Sequence, residues 1–351
     1  MAYTTIDKPT DYFNTVLYTG DGTSSKAITG VGFQPDWVWL KARNHAYSHQ
    51  LFDVVRGATK LLTSEATDAE QTLSGVTSFD SDGFTVGSDA GSNGSAKTFA
   101  SWNWLAGGSA SSNTDGDITS SVSANTTAGF SIVSYTGSGT ASDTVGHGLG
   151  VTPAMIIVKN RTEATSWCVA HKSLSADKVL RLEGTNAEGD IGDGELDSPP
   201  NNSSTFGFNN GTSGTPLKVV NESSDNYIAY CFAEIKGYSK FGSYTGNGNA
   251  DGTFVYTGFK PAWVMTKSTT QAYRWYMFDN KRNEFNVING RIFANDSASE
   301  QTNQNTIDFT SNGFKIRTGD AEINGSGQTI IYMAFAESPF VTSGGIPTTA
   351  R

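Results

Sequence analysis

One set of landmarks occurs three times along the chain in the same order, and this repetition limits the possible folds more than any other feature does. Internal repeats of this kind indicate one structural unit written several times. Each occurrence begins with Tyr-Thr-Gly-x-Gly and continues with a proline that a lysine follows six positions later. These landmarks are residues 18–22, 135–139 and 244–248, and the pairs Pro35 and Lys41, Pro153 and Lys159, and Pro261 and Lys267.

Three further landmarks follow in every copy: a Gly-Phe pair, an Asn-x-Ser triplet and a closing apolar strand. Five landmarks in fixed order predict three units of about 110 residues, a normal size for one domain. We divide the chain into copy 1 (1–120, with an N-terminal arm at 1–12), copy 2 (121–236) and copy 3 (237–351, with a short C-terminal tail). The triplets begin at Asn93, Asn221 and Asn324, and the closing strands are residues 99–105, 227–233 and 330–336.

The periodicity within a copy is that of β-strands. Residues 37–41 form a short, mostly apolar run after a proline, as expected of a strand buried on both faces. The nearest approach to a helical stripe is residues 53–62, which allows at most a helical turn. Many short strands with glycine-rich turns predict an all-β fold of three tandem β-sandwiches of jelly-roll type.

Positions shared by the copies most simply specify their shared fold. We therefore assign the large apolar residues to the core, the Tyr-Thr-Gly-x-Gly segments to hairpin turns, and the asparagines of the triplets to left-handed turns. Asp53 with Arg56, and Asp279 with Arg282, are predicted to form structural ion pairs, with ligand binding as the alternative. The core positions are Trp37, Met155 and Trp263, together with Trp104, Phe232 and Phe335.

Motifs for common chemistry do not occur. The chain has no Gly-Lys dipeptide for a P-loop, no dinucleotide fingerprint, no Gly-x-Ser-x-Gly and no His-Glu-x-x-His. Its four histidines are scattered over two copies. The prediction is a protein that is not an enzyme and has no cofactor.

Carboxylates crowd only in residues 188–197, within copy 2. Three interpretations stay open: a solvated acidic loop, a Ca²⁺ site, or the carboxylate pair of a glycan-degrading sandwich enzyme. The catalytic alternative uses Glu188, Asp190 and Asp193. The Ca²⁺ ligands would be Asp190, Asp193, Glu195 and Asp197.

Charge and hydropathy limit the partners. The net charge of −10 repels nucleic-acid phosphates, and the longest apolar run, residues 330–336, is too short to span a bilayer. We therefore expect no nucleic-acid binding, no membrane insertion and, given the polar first residues, no signal peptide. Cys168 and Cys231 are expected to be buried thiols rather than a disulfide framework.

The opening residues 1–7, the segment 238–248, the closure 334–340 and the terminal residues 347–351 resemble virion structural proteins of tailed viruses of marine and cyanobacterial hosts. Such proteins are often labelled tail fibre or tail protein. The resemblance covers nearly the whole chain and implies lectin-like sandwiches.

From the resemblance we expect a virion surface protein of the tail or tail fibre, assembled in the host cytoplasm and active in host attachment. The expected partners are other virion proteins and a host-surface glycan or protein, and a homo-oligomer is allowed. A capsid decoration protein is the alternative. Because recognition usually lies on variable loops, contacts are expected at residues 44–49, 188–202 and 271–274.

Overall fold

A computed structural model describes residues 3–189, 195–209 and 217–348. Within these ranges the regular structure is almost entirely β, as predicted, and both α-helices have only four residues. Copy 1 contains β1 (Phe13–Thr19), β2 (Lys26–Thr29), β3 (Trp37–Ala42), β4 (Gln50–Asp53), β5 (Lys60–Leu61), β6 (Gln71–Thr72), β7 (Val76–Asp80), β8 (Gly83–Val86), α1 (Ala90–Asn93) and β9 (Thr98–Trp104).

The later copies repeat the order of β1–β4 and β7–β9, and a 3₁₀ turn at Pro9–Asp11 precedes β1. At the boundary between copies 1 and 2 lie β10 (Ser111–Asn113) and β11 (Ser120–Asn125). Copy 2 then contains β12 (Phe130–Thr136), β13 (Thr144–Gly146), β14 (Met155–Asn160), β15 (Cys168–His171), β16 (Glu195–Leu196), β17 (Thr205–Asn209) and β18 (Asn226–Phe232). Copy 3 contains β19 (Ser239–Thr245), β20 (Phe254–Tyr256), β21 (Phe259–Ser268), β22 (Tyr276–Asp279), β23 (Ile292–Phe293), β24 (Ile307–Thr310), β25 (Gly313–Ile316), α2 (Ala321–Asn324) and β26 (Thr329–Pro339).

Each copy contains one larger and one smaller antiparallel sheet whose shared strands have the same order, and copy 1 also has the two-stranded sheet β5-β6. The larger sheets share the order β1-β9-β3-β4, β12-β18-β14-β15 and β19-β26-β21-β22. The smaller sheets are β2-β8-β7, β13-β17-β16 and β20-β25-β24. In copy 2 the larger sheet also includes β11 and β10, so its hydrogen bonding begins before residue 120.

Alternate residues of the central strand of each larger sheet pack into different cores. In β3, Trp37 and Trp39 point into a cluster shared by all three copies, whereas Val38 and Leu40 pack within copy 1. The strands β14 and β21 divide in the same way between the shared cluster and the cores of copies 2 and 3. Because side chains alternate along a strand, a strand that is apolar at every position can serve two cores. The strand predicted to be buried on both faces is confirmed.

The predicted core residues are all buried, and they meet across copies. The rings of Trp37 and Tyr230 stack at 4.4 Å between centroids, Trp104 and Trp263 lie edge to face at 5.7 Å, and Phe232 lies 6.1 Å from Phe335. Burial of each such aromatic side chain contributes roughly 1.5–3 kcal/mol. The shared cluster therefore holds the three copies together as one body.

The arm before the first copy lies against copy 3. The Tyr3 hydroxyl donates to the Gly258 carbonyl at 2.6 Å, and Ile6 belongs to the shared cluster. The Ser343 amide also donates to Asp7 at 2.6 Å. Residues near the start of the chain therefore join copy 3 to copy 1.

Two local predictions were wrong. The Tyr-Thr-Gly-x-Gly segments are not hairpin turns, because β1 and β2, like their counterparts, lie in different sheets. The triplet asparagines are not among the described residues with positive φ. Instead each is fully buried, and its Oδ1 accepts from a glycine-segment amide: Asn93 from Asp21 at 3.0 Å, Asn221 from Ser138 at 2.9 Å, and Asn324 from Asn247 at 3.0 Å.

The first glycine of each Tyr-Thr-Gly-x-Gly segment is required because the segment passes close to the backbone of the asparagine triplet. A Cβ on Gly20 would lie 2.3 Å from the carbonyl oxygen of Gly94, and Gly137 and Gly246 are equally crowded. The recurring glycine and asparagine thus act together: the glycine allows the two backbone segments to approach, and the asparagine hydrogen-bonds across the contact between the larger and the smaller sheet of a copy.

Candidate functional site

Residues that recur with charged or polar side chains lie at the junctions between copies. The final residue of β4, β15 and β22 reaches the closing strand of the next copy in every case. The Tyr230 hydroxyl donates to Asp53 at 2.8 Å, the Trp102 indole donates to Asp279 at 3.1 Å, and His171 Nε2 lies 3.3 Å from the Tyr332 carbonyl oxygen. These contacts join copy 1 to 2, copy 3 to 1 and copy 2 to 3, which makes a closed cycle.

A second cycle of hydrogen bonds starts from the residue before each of these strands. In each case a ring nitrogen donates to a carbonyl oxygen of the preceding copy. The pairs are His49 with Phe293 at 2.9 Å, Trp167 with Thr63 at 2.9 Å, and Trp275 with Arg181 at 2.8 Å. His49 accepts from the Trp39 indole through Nδ1, which fixes the proton on Nε2. His49 is therefore a junction residue and is buried, although we predicted residues 44–49 as a contact loop.

The predicted ion pairs are confirmed at two junctions. Arg56 pairs with Asp53 and Arg282 pairs with Asp279, with all four side chains fully buried. The Arg56 guanidinium also donates to the Leu51 and Lys60 carbonyls at 2.9 and 2.8 Å, and Arg282 donates to the Met277 carbonyl at 2.9 Å. Their hydrogen-bonding capacity is used by the protein itself.

The recurring lysines are buried as well. The Nζ atoms of Lys41, Lys159 and Lys267 donate to the carbonyl of the following residue at 2.8, 2.8 and 2.6 Å. Burial lowers the pKa of Lys41 and Lys159 to about 8 and that of Lys267 to about 7, while nearby carboxylates oppose this shift. A lysine of low pKa can serve as a base or nucleophile. Here each one is buried and bonded to backbone carbonyls.

The predicted Ca²⁺ ligands are only partly described by the structure. Asp190 and Asp193 lie outside the described residues, as does the side chain of Glu195. Asp197 is half-buried beside β17, where its amide donates to Gly207 at 3.0 Å, and desolvation, with Asp177 nearby, raises its carboxyl pKa. Among the described residues, no three His, Cys, Asp or Glu side chains are grouped as a metal site would need. The Ca²⁺ site stays a prediction.

Glu188 occupies a position that recurs in the other copies as Glu70 and Glu300. Its amide donates to the Thr269 carbonyl at 2.9 Å, as Glu70 does to Arg161 and Glu300 to Arg43. Its carboxylate accepts from the amide and hydroxyl of Ser175 at 3.0 and 2.8 Å. The role that the structure gives Glu188 is to join copy 2 to copy 3.

One connection is longer in copy 3 than in the other two copies. Five residues link Arg56 to Leu62 and Leu174 to Leu180, whereas nine link Arg282 to Ile292. These endpoints are equivalent, because Leu62, Leu180 and Ile292 all pair with the same position of the neighbouring strand. Residues of this longer connection, among them Glu284, Phe285 and Asn286, line a cavity of about 460 Å³.

The remaining predicted contact residues that the structure describes are partly exposed, and residues 190–194 of the loop 188–202 lie outside the described residues. The rings of His45 and Tyr47 stack at 4.2 Å, and Arg274 pairs with Glu322 at 2.9 Å. Sequence reasoning missed the cavity of copy 3 and the partners Tyr230 and Trp102. The longer Arg282-to-Ile292 spacing was the available signal for the cavity.

Both cysteines are free and buried, as predicted. His147 is also buried, and its Nδ1 accepts from the Leu149 amide at 3.2 Å. In the part of the chain that the structure covers, neither helix is long enough to cross a membrane.

A protein-family model described as "Domain of unknown function (DUF7483)" matches residues 8–339, which include all three sets of landmarks. No curated protein and no solved structure matches the chain.

Proposed function

We propose a function from the premise that the chain belongs to the DUF7483 family, a domain of unknown function that spans all three copies. The chain acts as a non-enzymatic protein of a virus particle, in the tail or tail fibre, where it contributes to adhesion to the host surface. The sequence resemblance to tail proteins is the reason for placing it on a virion.

One observation carries the non-enzymatic part of this proposal. The recurring ionisable groups, two Asp–Arg pairs, three lysines and two of the histidines, are buried and hydrogen-bonded within the protein. A reacting group must instead be within reach of a substrate. The recurring residues therefore serve to hold the fold together, and we assign the binding function to the outer loops that differ between copies.

The finer fold assignment is part of the same proposal. Each copy is a lectin-like β-sandwich of jelly-roll type, and the three form a ring about the shared aromatic cluster. In support, the inner core of copy 1 draws Ile28, Phe84 and Val86 from the smaller sheet and Val38, Leu40 and Phe52 from the larger one. A sandwich with one further buried face can pack against its neighbours without losing its own core.

Locating the chain on intact particles tests the proposal. A short epitope inserted between the exposed Ser24 and Ser25 would be labelled with gold-conjugated antibody and imaged by electron microscopy. Label on the tail is the expected result. Label on the shell would favour the capsid decoration alternative, and particles without label would overturn the virion assignment.

The glycan-degrading alternative has its own assay. The purified chain is expected to release no sugar from host polysaccharide. Release that the Glu188→Ala, Asp190→Ala and Asp193→Ala variants abolish would contradict the non-enzymatic proposal. The Glu188→Gln variant is the structural control, because it keeps an acceptor for Ser175 but removes the acid.

A further inference from the structure

The cavity of copy 3 combines a mixed polar lining with one unusually exposed aromatic ring. Phe285, within the extra residues, is 80% exposed, the highest value among the exposed large apolar side chains of the described chain. It lines the cavity together with Lys260, Glu284, Glu337 and the serines Ser311 and Ser338. The volume of the cavity, about 460 Å³, falls within the ~300–1,000 Å³ range of small-molecule sites.

The polar groups of the cavity are held in place. Glu337 accepts from Asn280 Nδ2 and from Lys260 Nζ, both at 2.8 Å, and the carboxylate and the lysine stay about a third exposed. Both groups can therefore meet a ligand without first being released from a buried position. A fixed carboxylate beside an ammonium offers an acceptor and a donor a few ångströms apart.

The segment bearing Phe285 is anchored as well. The side chain of Asn286 donates to the Phe309 carbonyl at 2.7 Å and accepts from the Phe309 amide at 2.8 Å. The side-chain amide of Asn286 thus satisfies the edge of β24 in the way that a neighbouring strand would. Phe285 is thus presented from a fixed backbone rather than from an unattached loop tip.

The same positions in the other copies lack this combination. Where copy 3 has Asn280 and Glu337, copy 1 has Val54 and Ala106, and copy 2 has Lys172 and Glu234, which pair with each other. Copies 1 and 2 also lack the extra residues that carry Phe285. The shared fold therefore does not require the exposed ring of Phe285 or the pair of Lys260 with Glu337, and the two lie together at one cavity.

We infer that this cavity, lined by Phe285, Lys260 and Glu337, binds a neutral saccharide. A sugar ring has one face of C–H groups that stacks on an aromatic ring, and hydroxyls that both donate and accept hydrogen bonds. The two carboxylates against one lysine disfavour a phosphate or an acidic sugar, as does the net charge of −10. The inference rests on the proposed function in one respect only: the biological role of this site would be attachment to a host glycan.

The test uses saturation-transfer NMR of the purified full chain with glucose, galactose, mannose, N-acetylglucosamine and their β-linked disaccharides. At least one of these sugars is expected to bind. The Phe285→Ala variant should weaken that binding roughly tenfold, whereas Phe285→Trp should preserve it. Glu337→Gln should weaken binding by a smaller factor, because the amide still accepts one hydrogen bond.

The matched control is Phe254→Ala, which removes another partly exposed phenylalanine of copy 3 that does not line the cavity. It should leave binding unchanged, and circular dichroism should show all four variants folded. No binding to any sugar of the panel, binding that Phe285→Ala does not change, or preferential binding of glucose 6-phosphate or tetramethylammonium would each overturn the inference. Gold labelling of particles is independent of this assay, so either conclusion can fail alone.

Discussion

The junction of copy 1 with copy 2 and the junction of copy 2 with copy 3 use the same positions but different chemistry. At the first, Asp53 pairs with Arg56 and accepts from Tyr230. At the second, His171 faces a backbone carbonyl, and Leu174 stands where the arginine would be. Both positions are buried, so the fold requires a hydrogen bond to the next copy but does not require charge.

The two solutions differ in what a substitution leaves behind. A buried ion pair contributes little net stability, but removing one partner strands the other charge without water. Replacing a neutral histidine leaves at most one backbone carbonyl without a hydrogen-bond partner. The charged junctions should therefore be much more sensitive to single substitutions than the neutral one.

The largest effect is expected for Arg56→Met, which leaves Asp53 buried without a positive partner. It should lower the free energy of unfolding by about 3–5 kcal/mol in urea titrations. Arg282→Met should cost a similar amount in copy 3. In the double variant Asp53→Asn with Arg56→Met, much of the loss should be recovered; a single Arg56→Met variant as stable as the parent would remove the distinction between the junctions.

Transplanting the charge into the neutral junction should be nearly as damaging. His171→Asp places a carboxylate in a fully buried position without a partner, at a cost of roughly 3 kcal/mol. Adding Leu174→Arg supplies the missing guanidinium and should restore part of the stability. Thermal unfolding of the single and double variants measures this coupling, and equal losses for both would show that the positions are not equivalent.

Acid should destabilise the folded chain through its buried junction histidines, His171 and His49. Burial lowers the pKa of His171 to about 3 and holds that of His49 well below its usual range. The unfolded chain therefore takes up protons below about pH 6.5 that the folded chain does not, and stability falls with pH by up to about 1.4 kcal/mol per unit for each histidine.

Urea titrations at pH 7, 6 and 5 compare the parent with His171→Gln. The glutamine cannot take up a proton, so this variant should lose less stability between pH 7 and pH 5 than the parent does. Identical pH slopes for the two proteins would mean that His171 titrates alike in the folded and unfolded chain.

The smallest contrast concerns the partly exposed glutamates. Glu70 pairs with Arg161 at 2.8 Å and with Arg56 at 3.3 Å, whereas Glu188, in the same position of copy 2, accepts only from Ser175 in the contacts described. Glu70→Gln should cost about 1 kcal/mol or slightly less, and Glu188→Gln a few tenths. High salt should reduce the first loss and leave the second unchanged.

Much of the architecture was predictable from local pattern. Alternation in residues 37–41 predicted a strand with two buried faces, and the Asp-x-x-Arg spacing predicted ion pairs, because both depend on neighbours within one turn or strand. The triplet asparagines were predicted incorrectly because the amides they bind, at Asp21, Ser138 and Asn247, lie 72, 83 and 77 residues away. Nothing in their local sequence identifies such partners.

The sequence by itself determined that one β-rich unit is written three times, with its core positions and two ion pairs. Only the tertiary structure decided that alternate core residues of the three copies meet in one cluster, that Tyr230 and Trp102 complete the junctions, and that the extra residues of copy 3 line a cavity. The physical reason is distance along the chain. Asp53 and Tyr230 are 177 residues apart and come together only when the sheets have formed and their apolar faces exclude water.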